Sequence, residues 1–594
     1  MTTPRSLPWP WPWLWLALVL ALACVYLMGL GSSYAPTNGD EMVYIHIARL
    51  TAESGQWLPL QSDLAGTRNT KPPLLFWQAM VAGDWGHHWN LFALRLPSVL
   101  YTFATTALLA FFTYRINGRL RVALIAAALY LLFFSTFRYG RVYLTSAPET
   151  FWLALPMFWL LWLRLRGQSP GESSAATVVS AFGWIAFSLS GIAIGLGSAY
   201  KSFALVAPAS AALWVALLVS GQRLDWQYVL RTTAGVSWSA VIGLAIFALW
   251  FVLDPDPASV WQEFVVAENA GKMSGQQGYW YAAFFGAYPM WTQFLAYPEN
   301  AGLLFFTVLG LGWVGLRLAF KSSTYQRLTP AQRVLLVWLI VWLVIFTIPS
   351  QRSARYVIPA MPALAIIMAL AWDRIARPWF WITLLISTPA LVMLARIGWA
   401  MGDLQIASTT QTAMLFIAAC AGLAGAAAGF FIKSWCRVAT VVSCLAVYAS
   451  FGLMVAPLDD PSAQYGDTVQ TRLAGARVAV PNGFTGQYER FNFLLPRSVR
   501  MAYDAEGRNT GAYRPELPPA ERLDYLLQTF DAVVWLQDDI TQTQPSCAPG
   551  CQVIASRWHV KSRHKEGEVT LANLWYPQQW LFGREWLIVR AKSP

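Results

Sequence analysis

Charge is scarce in this chain. Asp, Glu, Lys and Arg make up 12% of its 594 residues, against 56% hydrophobic residues, and the mean hydropathy is +0.43. So little charge excludes an ordinary water-soluble globular protein, and apolar runs of about 20 residues, long enough to cross a hydrocarbon core as a helix, recur along the sequence. Neither an internal repeat nor a low-complexity tract is present, which counts against the repeated halves usual in transporters. There are five histidines. His87 and His88 are adjacent but have no Cys or acid cluster beside them, a poor pattern for a metal site. The net charge of +12 does not point to nucleic acid, because Lys and Arg sit mainly in short loops between apolar runs, where they act as topology signals.

What is there reads as mainly α: a polytopic membrane protein of about 13 transmembrane helices plus a small C-terminal α/β domain. The first apolar segment, Trp11 to Leu30, is too long for a signal-peptide core and is expected to be a retained span. Further spans are expected near 92–113, 120–137, 149–163, 178–197, 203–220, 233–253, 300–319, 333–349, 356–372, 379–398, 411–432 and 437–456. With the N-terminus cytoplasmic, every predicted inside loop is basic, from Arg115, Arg119 and Arg121 through to Lys433 and Arg437. An odd number of spans then leaves the tail outside. The expected division is a membrane domain, 1–456, with outside loops 31–91 and 254–299, and a soluble periplasmic domain, 457–594.

In the tail, "ARVAVP", "DAVVWLQ", "EVTLANLWY" and "EWLIVRA" read as strands, with a helix near 518–529. Cys547 and Cys551 in "CAPGC" suit a disulfide in an oxidising compartment, with two unpaired thiols as the alternative. The tryptophans of "WPWPWLWLAL" suit interfacial anchoring.

Against this apolar background "GDEMVYIHIARL", residues 39–50, sets Asp40 and Glu41 side by side after the first span. Juxtamembrane acids are often no more than solvated helix ends. Here several cations share their face: Lys71 in "KPPLLFW", kept out of a helix by the prolines that follow; Arg138 and Arg141; Lys201 in "GLGSAYKSF"; and Arg352 and Arg355 in "PSQRSARYVIPAMPALA". Cations collected on one face with an acid near them suit a phosphate-bearing substrate.

The ordered set "GDE", "KPPLLFWQA", "ALRLPSVL", "GLGSAYKSF", "FVVAENAGKMSG" and "SARYVIPAMPALAI" resembles the lipid A aminoarabinose transferases and their relatives among protein O-mannosyltransferases, over roughly residues 15–400. These are integral-membrane glycosyltransferases of the GT-C type. The resemblance implies a multi-pass protein of the bacterial inner membrane that moves a sugar from a polyprenyl (undecaprenyl) phosphate carrier to a lipid A, envelope glycan or protein acceptor at the periplasmic face. It implies Asp40, with Glu41 beside it, as base or acceptor-orienting acid, and Lys71 as a contact of the carrier phosphate. Lys201, Arg355 and Tyr356 match positions lining the carrier-phosphate pocket, and Arg141 and Arg352 are counted with the same cations. Asn269 with Lys272 matches an N-x-G-R element of the second outside loop, with Lys in place of Arg.

Chemistry gives the same roles: a polyprenyl phosphate leaves well only if its developing charge is stabilised, which Lys and Arg at a low-dielectric surface can do. An acceptor hydroxyl needs a base, which Asp40 can supply; an acceptor that is already an anionic phosphate needs none, and the acid then only holds geometry. Direct displacement is expected, with the inversion that the resemblance to GT-C enzymes implies.

The chain also departs from the pattern. Ser146 stands where the family carries a second acid, and Glu149 lies one helical turn on, either as its replacement or as an acid favouring the first turn after Pro148. Thr70 and the His-free "SGQQGYWYAAF" occupy the places of metal ligands in metal-binding relatives, so no required metal and no cofactor is expected. Arg95 is either a snorkelling span end or a phosphate contact. A lipid-linked-sugar transporter or flippase, and an inactive relative that binds only the carrier, remain the alternatives.

Overall fold

The computed structural model describes residues 11–32, 39–64, 66–166, 183–220, 225–270, 279–286, 288–320, 328–350, 352–459, 465, 467–481, 487–496, 498–504, 517–537, 544–545, 551–561, 564 and 566–590. Helices dominate, and every expected span falls on one. Among the described residues eight helices are long and apolar enough to cross a membrane: Leu91–Asn117, Trp226–Leu253, Ala296–Ala319, Pro330–Thr347, Ala354–Arg374, Arg377–Asp403, Thr409–Phe431 and Cys436–Leu458. The expected count of thirteen is not met by this measure. The remaining five expected spans fall on helices that are shorter or less apolar, such as Leu120–Leu132 and Ser146–Arg166.

Small residues let two of the spans approach closely. On Trp184–Ser198, a Cβ added at Gly191 would stand 2.7 Å from the Ser239 carbonyl oxygen of Trp226–Leu253, and one at Gly195 would stand 2.8 Å from Ile246. Van der Waals packing of this kind holds helices together where lipid offers no hydrophobic contrast.

Two features of the first outside segment set up the site. The Gly39–Glu53 helix begins with Asp40 and Glu41 in its first turn, where the helix dipole favours acids. Pro73 opens the Pro73–Ala82 helix, with Lys71 just before it. Beneath them Tyr44, Ile45, Phe76, Tyr143, Trp250 and Phe264 form part of one apolar cluster.

The tail folds into a five-stranded mixed sheet of order β2-β1-β3-β5-β4, with β1 Arg477–Pro481, β2 Arg500–Asp504, β3 Ala532–Gln537, β4 Cys551–Val560 and β5 Phe582–Arg590. β1 runs parallel to β2 and β3, and β5 antiparallel to β3 and β4. The expected helix is Pro519–Thr529. "EVTLANLWY" is not a strand: it forms turns, because its apolar residues do not alternate and the Asn573 side chain accepts from the Thr570 N–H at 2.7 Å, holding the backbone bent. β2 and β4 were not read from the sequence. Cys551 is disulfide-bonded, while Cys547, its expected partner, lies outside the described residues.

The tail is bolted to the membrane domain by its Gln487–Phe493 segment. Glu489 takes His46 Nδ1 at 2.9 Å and Arg49 Nε at 2.7 Å, while its neighbour Arg490 turns to Glu585 of β5. Leu64, from the first outside segment, is part of an apolar cluster with Val478 and Leu587 of the sheet.

Candidate active site

The two acids of the Gly39–Glu53 helix have different surroundings, because consecutive helical residues point about 100° apart. Glu41 is fully buried. It takes Arg95 Nε at 2.7 Å and Nη2 at 2.8 Å, and accepts the Tyr143 N–H at 2.9 Å. Arg95 also donates to the carbonyls of Leu30 and Ser32, so the pair stitches the end of the first helix to three other segments. Asp40 is half-exposed and stands 3.6 Å from Arg355, whose guanidinium lies 4.7 Å from the Tyr139 ring.

Lys71 donates to Glu268 Oε1 at 2.8 Å and to the Thr70 carbonyl at 2.7 Å, with its ammonium 5.8 Å from the Tyr44 ring. Burial pushes the Lys71 pKa down, but Tyr44, Glu268 and Asp40 more than reverse this, so it is raised and Lys71 is a cation throughout the neutral range. Lys201, in the turn after Trp184–Ser198, donates to Glu149 Oε1 at 2.9 Å and lies 5.7 Å from the Tyr356 ring. Burial lowers its pKa, Glu149 opposes the drop, and the Arg355 and Lys71 charges add to it. Tyr44 feels the Lys71, Asp40 and Arg355 charges, and burial raises its phenol. Asp40, Lys71, Glu149, Lys201, Arg355 and Tyr356 are thus linked, neighbour to neighbour, in one cluster.

Glu149 is fully buried in the first turn of Ser146–Arg166, and its Oε2 has no hydrogen-bond partner among the described residues. Asn269 accepts from Ser202 Oγ at 3.1 Å and donates to the Phe264 carbonyl at 2.7 Å, which ties the second outside loop to the Lys201 turn. Lys272 lies outside the described residues.

Two expected phosphate ligands are otherwise engaged. Arg141 is buried, donates to the carbonyls of Tyr26 and Met28, and lies 4.6 Å from the Phe137 ring. Arg352 is buried and donates to the carbonyls of Thr347 and Tyr288. Sequence reading missed Glu268 and Tyr44. Glu268 carried a signal, as an acid next to Asn269, and Tyr44 lies one helical turn after Asp40. Among the described residues no group of three or more His, Cys, Asp and Glu converges as metal ligands.

Next to the Lys201 turn an open groove of about 380 Å³ is lined by Leu74, Trp77, Gln78, Val81, Pro97 and Tyr200. Tyr200 donates to Gln78 Oε1 at 3.0 Å, fixing the wall between groove and cations. Such a site can take a ligand with an anionic head and a hydrocarbon tail.

Fold and site together define a multi-pass membrane protein with a polar, cation-rich centre at one end of its spans. The crystal structure of ArnT from Cupriavidus metallidurans bound to undecaprenyl phosphate superposes with a TM-score of 0.55, at 17% identity, over 97% of this chain and 98% of that one. The apo form gives 0.53 at 18% identity, over 82% and 85%. These neighbours identify the fold as GT-C. Residues 11–256 match the family model of dolichyl-phosphate-mannose-protein mannosyltransferase. The chain is 27% identical over 341 residues, 56% of its length and 54% of the relative's, to undecaprenyl phosphate-alpha-4-amino-4-deoxy-L-arabinose arabinosyl transferase 1 of Sodalis glossinidius (strain morsitans). The corresponding transferase of Pseudomonas paraeruginosa (strain DSM 24068 / PA7) is 25% identical over 336 residues, 56% of this chain and 55% of that one. The chain spans about half the length of these relatives.

Proposed function

We propose that this protein is a membrane glycosyltransferase that takes a sugar from an undecaprenyl-type polyprenyl phosphate and transfers it to lipid A or another envelope acceptor. Transfer takes place at the periplasmic face of a bacterial inner membrane, with the N-terminus cytoplasmic and the tail periplasmic. The observation that carries this reading is the gathering of Lys71, Lys201 and Arg355 around Asp40, beside an apolar groove.

The carrier phosphate binds among these cations and its hydrocarbon chain follows the groove. Its charge draws Arg355 off Asp40, freeing that carboxylate for the acceptor. The acceptor oxygen attacks the anomeric carbon, the bond from that carbon to the phosphate oxygen breaks, and the electron pair leaves on the phosphate. The hydroxyl proton passes to Asp40. Lys71 and Lys201 stabilise the leaving charge; removing one donor of this kind costs about 10²–10³ in rate. Glu149 holds Lys201 and supplies the second acid that Ser146 does not.

The test is transfer of radiolabelled sugar from a panel of undecaprenyl-phosphate donors into lipid and protein fractions. Asp40→Asn should abolish transfer while carrier binding persists, and Glu149→Gln should reduce it. Carrier binding without transfer from any donor would sink the catalytic reading and leave a carrier-binding or transport role.

A further inference from the structure

We infer that the turn between β4 and β5 is a second membrane-contact element, seating the tail domain on the lipid headgroup layer at the face that carries the site. Among the described residues the tail touches the membrane domain around Glu489 and Leu64 and again at a separate place. That second place lies at the ends of the spans. There Leu581, Phe582 and Trp558 pack with Ile397, Met401, Leu415 and Met454.

One hydrogen bond marks where on the spans this second contact lies. Arg396 Nη2 donates to Gln578 Oε1 at 3.4 Å, and Arg396 lies seven residues before the end of the Arg377–Asp403 span. Gln578 therefore meets this helix on its flank, before its last two turns, rather than at its tip. Trp399 of the same span, one turn further on, is 58% exposed on the helix surface and is of a residue type that favours the membrane interface.

Immediately before Gln578, the turn points apolar side chains away from the protein. Leu571 is 95% exposed, Trp575 51% and Tyr576 46%, with Leu574 and Val569 also exposed. Each of them is a cost in water, and their contiguity marks a surface meant for an apolar partner. The turn is held in this shape. Asn573 Nδ2 donates to the Glu568 carbonyl at 2.8 Å, the Leu574 N–H to the Thr570 carbonyl at 2.9 Å, and Trp580 Nε1 to the Asn573 carbonyl at 3.1 Å. These bonds tie the exposed tip to Trp580, which packs against the span ends. A rigid, aromatic, apolar tip continuous with a contact on the flank of a spanning helix fits a bilayer, since Trp and Tyr place their rings in the apolar layer and their polar atoms at the headgroups.

The experiment uses the full chain in proteoliposomes of phosphatidylethanolamine and phosphatidylglycerol, with photoreactive benzoylphenylalanine at Leu571, at Trp575, and at the exposed Gln528 of the Pro519–Thr529 helix as control. Irradiation should give phospholipid adducts, seen by mass, at 571 and 575 and at least tenfold fewer at 528. Adducts to a second polypeptide would make the patch a protein interface. No adduct, or equal yields at all three positions, would make it a solvated surface. Either result overturns the inference, and neither depends on transferase activity.

Discussion

His46 Nδ1 lies 2.9 Å from Glu489 Oε2, and its other ring nitrogen lies 2.6 Å from Asp63 Oδ1. One imidazole on the Asp40 helix is therefore held between a loop of the membrane domain and the tail domain. Burial alone pushes this imidazole pKa down from 6.5; hydrogen bonds and charge from Asp63 and Glu489 reverse the effect and bring it to about 9. A raised folded-state pKa contributes stability that is fully present below 6.5 and is lost as pH climbs through about 9. With Asp63 half-exposed, the contribution is at most about 3 kcal/mol. Tail docking, followed by limited proteolysis, should loosen between pH 6.5 and 9 in the native protein. His46→Gln should be looser at neutral pH and nearly flat over this range. An unchanged profile in the variant would show that His46 does not set it.

The adjacent acids should separate on mutation. Glu41→Gln breaks a fully buried pair with Arg95, a loss of about 3–5 kcal/mol, and should lower yield and thermal stability in detergent. Asp40→Asn removes a partly exposed contact worth under about 1 kcal/mol, leaving stability intact while transfer is lost. If both variants are stable and both inactive, Glu41 acts in the chemistry rather than by holding the helix.

Lys201 gives a second pH test. Its pKa is lowered by burial, and Glu149 opposes that drop. Glu149→Gln therefore lowers it further, so the ammonium deprotonates at lower pH and the alkaline limb of carrier-phosphate affinity should shift toward neutrality. Lys201→Arg stays protonated and should remove that limb. Affinity measured against pH in nanodiscs decides the matter; superimposable limbs would exclude Lys201 from phosphate binding.

Gly191→Val or Gly195→Val should force apart the Trp184–Ser198 and Trp226–Leu253 helices at about 1–3 kcal/mol each, read as a lower melting temperature. Gly312→Ala and Gly315→Ala, where a Cβ meets nothing within 4 Å, serve as controls and should change little.

Local sequence was enough for much of this molecule. Apolar runs of spanning length located the helices, since a bilayer forces the backbone to satisfy its own hydrogen bonds, and the cations Lys71, Lys201 and Arg355 stood out against a background with little charge. β1, β3 and β5 were legible from short apolar runs. β2, β4 and the 568–576 turn were not, because strand pairing and a side-chain-braced turn depend on partners far along the chain.

The sequence by itself determined a helical membrane protein with its acids and cations on one face. Only the tertiary structure decided which of those charges face each other. Asp40 and Glu41 are neighbours of the same chemistry, yet one meets Arg355 at a half-exposed site and the other is buried against Arg95. Arg141 and Arg352 are cations like Arg355, but backbone carbonyls take up most of their donors, leaving Nη1 of Arg141 and Nη2 of Arg352 without a partner among the described residues. Glu268 reaches Lys71 from 197 residues away. The physical reason is that ion pairs are selected by distance and burial, which packing of remote helices sets, whereas crossing a membrane is selected by composition along a single stretch of chain.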